Sequence, residues 1–500
     1  MISKYKKLQN GSDIRGVALD GIAGEGVNLD KKAAADIAFG FAKFLEKNLG
    51  KEFSELSVAI GRDPRLSGEA LASAFAASLT SLGLKVMDAG LASTPAMFMS
   101  TIFDNYKADG AVMITASHLP FNRNGFKLFT QNGGLDKKGI AYILEEAASS
   151  TIGDVSLIPD LYRQIPLMDD YAAHLRAIIT KALNSDKPLE GLKITVDAGN
   201  GSGGFFATRV LGPLGADVST SQFLEPDGTF PNHQPNPENE EAMNSLRAAV
   251  LLHKPDLGLI FDTDVDRSSA VDEKGRAISR NGIVAMAAAL IAKEYPGTTV
   301  VTDSITGPQL TDFLEKGLGL KHLRFKRGYK NVISKSEELN KVGIDSQLAI
   351  ETSGHAAYKE NFFLDDGAYL ATKIVIKAAE LKKQNFGIST VIESLAEPIE
   401  AREFRFPILA EDFAAYGDKV LTELEAFAET QENCSVVKPN YEGVRLDFGH
   451  GWLLLRKSLH DPIMPLNVES DVNNGIEEII QVVSSFLEKY DLLDIGALSK

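Results

Sequence analysis

Short, wholly apolar runs that stop abruptly at polar loops constrain this chain most. Residues 111–114 run straight into Thr115-Ala116-Ser117-His118, and residues 257–261 into Asp262-Thr263-Asp264-Val265-Asp266-Arg267. Apolar runs without alternation suit strands covered on both faces, and such strands belong to sheets with helices packed against them. Helical stretches fall between the runs, over 69–82, 205–214, 283–293 and 309–314. Further strands are expected at 58–60, up to Gly90, at 193–198, near Val218, at 298–303 and at 348–350. This alternation predicts mainly parallel α/β sheets. Three successive units of similar order suggest a degenerate repeat of about 100–120 residues.

The last hundred residues break the pattern. Strands are expected at 452–455 and 466–468, and a terminal helix carries Ile476, Ile479, Ile480, Val483 and Leu487 on one face. The expected fold class is therefore α/β: three successive mixed α/β domains of similar topology (1–163, 164–277 and 278–398) plus a smaller C-terminal α+β domain (399–500).

Composition narrows the class of function. The chain has 500 residues, 44% hydrophobic and 24% charged, and no apolar run approaches the roughly 18 residues that span a bilayer. A net charge of −16 with no basic stripe argues against a nucleic-acid partner. The single cysteine, Cys434, excludes an internal disulfide and fits a reducing compartment. The polar N-terminus has no signal-peptide core, so the expected location is the cytoplasm, or an organelle stroma if a transit peptide was removed.

Four loops carry the chemistry. Asp262, Asp264 and Asp266 repel one another unless a hard cation sits among them. A solvated acidic turn is the plain alternative. An EF-hand needs glycine at its sixth position, where this chain has Arg267. Mg²⁺ suits a few carboxylates combined with phosphate oxygens. The second loop places Ser117 beside His118 and upstream of Lys127, and a serine can carry a phosphoryl group covalently. Third, Arg327-Gly328 and Glu351-Thr352-Ser353-Gly354-His355 offer donors and acceptors for sugar hydroxyls. Fourth, Arg456-Lys457-Ser458-Leu459-His460 can hold a phosphate by charge-assisted hydrogen bonds, although each of these loops taken alone also reads as an ordinary polar turn. Gly199-Asn200-Gly201-Ser202-Gly203-Gly204 matches a dinucleotide fingerprint, but no acidic residue follows at the usual place, so a tight turn packing a helix explains it better.

Together these loops, with NGSDIRG (10–16), IGRDPRLSG (60–68), GLASTPA (90–96), PDGTFPNHQPNPE (226–238) and DDGAYL (365–370), resemble the α-D-phosphohexomutase family over nearly the whole chain. The resemblance implies four domains around a central cleft and interconversion of hexose 1-phosphate and hexose 6-phosphate, with glucose or mannose as the sugar. It makes Ser117 the phosphate carrier and, with Asp262, Asp264 and Asp266, a ligand of one Mg²⁺ per chain. It places Arg267 close to that phosphate. Arg15, His118 and Lys127 match positions tied to proton transfer and its electrostatics. Arg327, Gly328, Glu351, Ser353 and His355 fall to the sugar, and Arg456, Lys457, Ser458 and His460 to its distal phosphate. A hexose 1,6-bisphosphate is implied as intermediate and activator. The implied partners are small sugar phosphates, with a monomer or homodimer as the assembly. Leu459, His460 and Asp461 replace the family's usual small, hydroxyl and acidic residues. That departure motivates a second reading, a hexose 1,6-bisphosphate synthase using the same phosphoserine. A non-catalytic sugar-phosphate sensor is the reading from another class, and a metal-dependent phosphatase is a fourth.

Overall fold

The computed structural model describes residues 2–458 and 461–499. It divides into two compact units, Met1–Leu290 with Ser353–Val391, and Ile291–Thr352 with Ile392–Lys500. Among the described residues no helix is long and apolar enough to cross a membrane.

The first unit opens with an eight-stranded sheet. Its centre is parallel: Ser57–Arg62 lies between Lys85–Leu91 and Gly110–Ile114. Its other side is antiparallel, with Arg123–Thr130 pairing Gly110–Ile114 and Asp13–Val17 pairing Arg123–Thr130. Every residue of Gly110–Ile114 is buried, which is why that run carries no alternation. Helices Lys31–Leu49, Gly68–Ser81 and Lys137–Ser149 supply Ile37, Phe41, Phe75, Leu79 and Ile143 to the core. Each such side chain, fully buried, contributes about 1.5–3 kcal/mol. Asp30 caps the first of these helices by accepting from the Ala33 amide at 2.8 Å, and Gly50 ends it in a left-handed conformation.

A second sheet pairs Ile194–Asp197 with Leu257–Phe261 in parallel, then Leu257–Phe261 with Ser268–Val271 antiparallel. The 262–267 loop is therefore the turn of a hairpin. The first unit also contains the hairpin Ala356–Tyr358 with Leu364–Asp365 and the helix Gly367–Lys382, capped by Asp366.

In the second unit, Thr299–Thr302 runs parallel to both Lys321–Arg324 and Leu348–Ile350. Its C-terminal part is a five-stranded antiparallel sheet, ordered Glu400–Pro407, Ile463–Ser470, Gly451–Leu455, Val444–Asp447, Ser435–Val436. Helices Phe413–Ala428 and Gly475–Leu487 cover it, and Val420, Leu424, Ile476, Ile479 and Val483 meet Leu453, Leu455 and Leu466 in its core.

Three expectations need correction. The sheets are mixed rather than mainly parallel, because apolar runs report burial and not strand direction. The stretch 205–214 is not one α-helix: Phe206–Leu211 forms a wide π-type turn and Gly212–Leu214 a tight 3₁₀ turn. No strand forms near Val218; Asp217 and Gln222 make only isolated bridges, to Lys193 and Asp197. Two glycines, Gly212 and Gly215, with Pro213 between them, account for the broken helix.

Candidate active site

Strand register brings the first group together. Ile114 pairs with Phe126, Met113 with Lys127, and Arg15 with Gly125. Arg15 and Lys127 thus flank the loop that follows Ile114. Gly125 permits this: a Cβ there would lie 2.1 Å from the Ile14 carbonyl oxygen and 2.8 Å from Arg15 Cδ. The Arg15 guanidinium donates to the Thr115 carbonyl and pairs with Asp13 at 2.8 Å.

Ser117 itself sits in the left-handed region, φ +50°. That conformation costs of order 1–3 kcal/mol, and the loop must be held to keep it. The Ser117 amide donates to Thr115 Oγ1 at 2.9 Å, and Thr115 Oγ1 donates to Asp63 at 2.7 Å. Arg65, only 1% exposed, donates to the carbonyls of Ser117, Leu119, Pro120 and Arg123 and pairs with Asp63 at 3.1 Å. One buried guanidinium thereby fixes the loop's path.

The hairpin loop 262–267 meets Ser117 from the second sheet. Val265 is left-handed at φ +68°, uncommon for a β-branched residue, and it turns the loop sharply. Main-chain bonds from Thr94 to the Asp264 carbonyl (2.8 Å) and from Gly367 to the Val265 carbonyl (3.1 Å) secure it. Ser117 Oγ donates to Asp262 Oδ2 at 2.9 Å. Arg267 Nη2 donates to Ser117 Oγ at 2.8 Å and lies 2.7 Å from His118 Nδ1. Lys127 Nζ pairs with Asp264 at 3.1 Å and, still closer, with Asp266.

The charges shape one another. Burial and then the neighbouring Asp266 and Asp264 raise the Asp262 pKa well above the carboxylate range. Burial pushes Asp266 the same way, but Lys127, His355 and Arg267 outweigh it and hold its carboxyl below the usual range. His118 is pushed down to about 2, by burial and then by Arg267 and Arg15. A neutral His118 can accept from Arg267, as the geometry requires. His355 loses by burial but gains more from Asp365 and Asp266, reaching about 9.

Asp262, Asp264 and Asp266 can offer ligand oxygens within 4.8 Å of one another. Asp264 Oδ1 and Asp266 Oδ1 are buried without a hydrogen-bond partner. Orphaned carboxylate oxygens converging in this way fit a small divalent cation.

His355 joins the group through the backbone. Gly354 and His355 run beside Arg267 and Ser268, so close that a Cβ on Gly354, φ +94°, would lie 2.5 Å from the Ser268 carbonyl oxygen. His355 Nδ1 lies 2.5 Å from Asp365 Oδ2 and 3.8 Å from Asp266. Ser353 Oγ is buried without a partner.

The remaining candidates lie in the second unit. The Gly328 amide donates to Glu351 Oε1 at 2.6 Å, and the Arg327 amide to Glu442 Oε2 at 3.1 Å. Arg456 is 7% exposed, and its Nε has no partner. Burial lowers its pKa, opposed by Glu442. Ser458 Oγ accepts from the Asp461 amide at 3.2 Å. Lys457 turns to Asp418, 2.6 Å away. His460 lies outside the described residues. Asp63, Arg65, Thr94, Asp365 and Glu442 escaped the reading of the sequence as site residues; the IGRDPRLSG, GLASTPA and DDGAYL segments signalled the neighbourhoods of the first four, and nothing signalled Glu442.

Comparison with known proteins fits this geometry. Models of phosphoglucomutase/phosphomannomutase alpha/beta/alpha domains I, II and III match residues 6–151, 169–275 and 279–398. A phosphoglucomutase of Neisseria gonorrhoeae is 30% identical over 481 residues, 96% of each chain. A phosphomannomutase/phosphoglucomutase of Pseudomonas aeruginosa is 28% identical over 96% of this chain and 95% of its own. A solved phosphoglucomutase/phosphomannomutase family structure from Burkholderia thailandensis superposes with a TM-score of 0.78, at 25% identity and 98% coverage of each chain. With three domain models matched in order and a 30% identical relative covered end to end, the chain belongs to the phosphoglucomutase/phosphomannomutase family and is an enzyme of the mutase type.

Proposed function

We propose that the enzyme interconverts hexose 1-phosphate and hexose 6-phosphate, with glucose or mannose as the sugar, through a phosphorylated Ser117 and a hexose 1,6-bisphosphate. One observation carries this reading: Ser117 Oγ is held in a strained loop between Asp262 and the Arg267 guanidinium, beside a buried carboxylate triad. The bond between phosphorus and Ser117 Oγ breaks, and one forms to a sugar hydroxyl oxygen. That hydroxyl loses its proton, a loss that the cationic Lys127 and Arg15 favour electrostatically, and Ser117 Oγ takes up a proton as the phosphoryl group leaves it. Arg267 balances the charge spread over the transferring oxygens. A Mg²⁺ ion held by Asp262, Asp264, Asp266 and the Ser117 phosphate would supply Lewis-acid neutralisation of those oxygens. Reversal at the other end of the bisphosphate returns a phosphoryl group to Ser117. In this reading Arg327, Gly328, Glu351, Ser353 and His355 bind the sugar, while Arg456 and Ser458 serve its distal phosphate.

The test is conversion of glucose 1-phosphate, with Mg²⁺ and a trace of glucose 1,6-bisphosphate, by the protein and by Ser117→Ala. The expected result is conversion that Ser117→Ala lowers by at least about 1,000-fold. In a second assay that also supplies a separate bisphosphorylated phosphoryl donor, hexose 1,6-bisphosphate accumulating in place of glucose 6-phosphate would instead identify a synthase. Equal rates in the two proteins would overturn the phosphoserine.

A further inference from the structure

The loop 226–239 has no part in the reaction as described, yet it touches the site at two points. Gln234 Nε2 donates to the His118 carbonyl at 2.5 Å. Asn236 Oδ1 accepts from Arg267 Nη1 at 3.1 Å. The other edge of that guanidinium is held by groups that the reaction alters. Nη2 binds Ser117 Oγ, and both Nε and Nη2 bind Asp262 Oδ2, at 3.2 and 3.1 Å. Ser117 alternates between free and phosphorylated forms, and Asp262 is a cation ligand on the proposed reading. Asn236 is neither, so its contact can persist through the cycle. Glu238 Oε2 adds a weaker attraction to Nη1 at 3.7 Å.

Asn236 can hold Arg267 only if its own position is fixed, and the loop is fastened on both sides of it. Three residues later, Asn239 caps the helix Glu240–His253, accepting from the Ala242 amide at 2.9 Å. Three residues earlier, His233 is buried. Its Nε2 lies 3.0 Å from both Asp197 oxygens and its Nδ1 lies 3.1 Å from the Gln234 carbonyl oxygen. Each ring nitrogen thus faces oxygen atoms that can accept, an arrangement that favours the imidazolium. Asp197 is further saturated by Gln222 Nε2 at 2.6 Å and the Gly199 amide at 2.9 Å. Phe230, on the same loop, lies over the Arg65 guanidinium at 5.2 Å.

We propose that Asn236 is a positioning residue for phosphoryl transfer: it orients the Arg267 guanidinium toward Ser117 Oγ, and the buried His233–Asp197 pair holds Asn236 in place. This rests on the phosphoserine reading. A guanidinium released at Nη1 can swing about its remaining contacts, and misplacement by about 1 Å can cost 100-fold in rate.

The test uses the full-length enzyme with Mg²⁺ and compares Asn236→Ala, Arg267→Lys and the double variant, with thermal melting of each. Asn236→Ala is expected to lower kcat about 10–100-fold, with KM changed less than about 3-fold. The double variant is expected to be no slower than Arg267→Lys alone, because Asn236 acts through Arg267. His233→Gln is expected to lower kcat in the same direction, again without the loss adding to that of Asn236→Ala. Losses that multiply between Asn236→Ala and Arg267→Lys would overturn the proposal, as would an unchanged kcat in Asn236→Ala. Failure of the phosphoserine reading would appear separately, as full activity in Ser117→Ala.

Discussion

At the residue scale, the site is a balance of buried charges, and each side chain has a distinct cost of removal. Lys127 is buried against Asp264 and Asp266. Lys127→Met removes the cation nearest both carboxylates, leaving Asp266 only the more distant His355 and Arg267, and without a bound metal it is expected to cost about 3–5 kcal/mol. Added Mg²⁺ should recover part of that loss. Thermal melting should therefore show a larger Mg²⁺-induced rise for Lys127→Met than for the unaltered protein; no rise in either would contradict a cation site at the triad, and equal rises would contradict its coupling to Lys127. Arg65 makes a different case. A lysine in its place keeps the charge but has too few donors, in the wrong geometry, for four carbonyls and Asp63. Arg65→Lys is expected to lower stability by about 2–4 kcal/mol in urea unfolding and to reduce kcat with it. The carboxylates at alternate positions and the serine at a strand end were legible in the sequence, because their chemistry lies within a few residues. Arg65 was legible only as part of the IGRDPRLSG segment and not in its role, because the four carbonyls it holds lie at 117–123, far away in sequence.

Elements place these side chains, and two of them can be tested by altering a support. Gly125→Ala would push against the Ile14 carbonyl across the strand pair that aligns Arg15 with Lys127. Overpacking of this kind costs about 1–3 kcal/mol, and kcat is expected to fall as the strand Asp13–Val17 shifts. The loop 226–239 depends on His233. Burial opposes its charge, but hydrogen bonding and attraction to Asp197 win, so its pKa is raised by folding. A group raised in this way stabilises the fold fully below its unfolded pKa of about 6.5, and that contribution disappears as pH rises through the folded value. The stability deficit of His233→Gln in urea should be largest near about pH 6 and smaller near about pH 9. A deficit that grows with pH would contradict a charged ring. The central parallel strands and some of their helices, such as Gly68–Ser81 and Asn281–Ala292, could be read from apolar runs and intervening helical stretches. Strand direction could not, since Arg123–Thr130 is as buried as its parallel neighbours. Nor could the loop's role, because a stretch of proline, asparagine and glycine carries no periodicity that points toward Arg267.

On the scale of the whole molecule, one unit holds Ser117, the aspartates, Arg267 and His355, and the other holds Arg327, Glu351 and Arg456. The first gathers Ser117, Arg267 and the three carboxylates at one place, and the second offers a buried arginine whose Nε lacks a partner. The resemblance carried by the sequence motifs extended over nearly the whole chain, and matches to three family domains agree with it. What the sequence could not supply was the partition of residues between compact units, since the chain leaves the first near residue 290 and returns at 353. The central claim is that Ser117 carries the phosphoryl group between the two ends of the sugar. The most direct measurement treats the protein with glucose 1,6-bisphosphate and Mg²⁺, removes the sugar, and maps phosphate by peptide mass before and after a chase with glucose 1-phosphate. The account predicts one phosphoryl group on Ser117 that the chase transfers to sugar within a turnover. A protein that catalyses the interconversion while Ser117 stays unmodified, or holds phosphate there that no sugar removes, would contradict it.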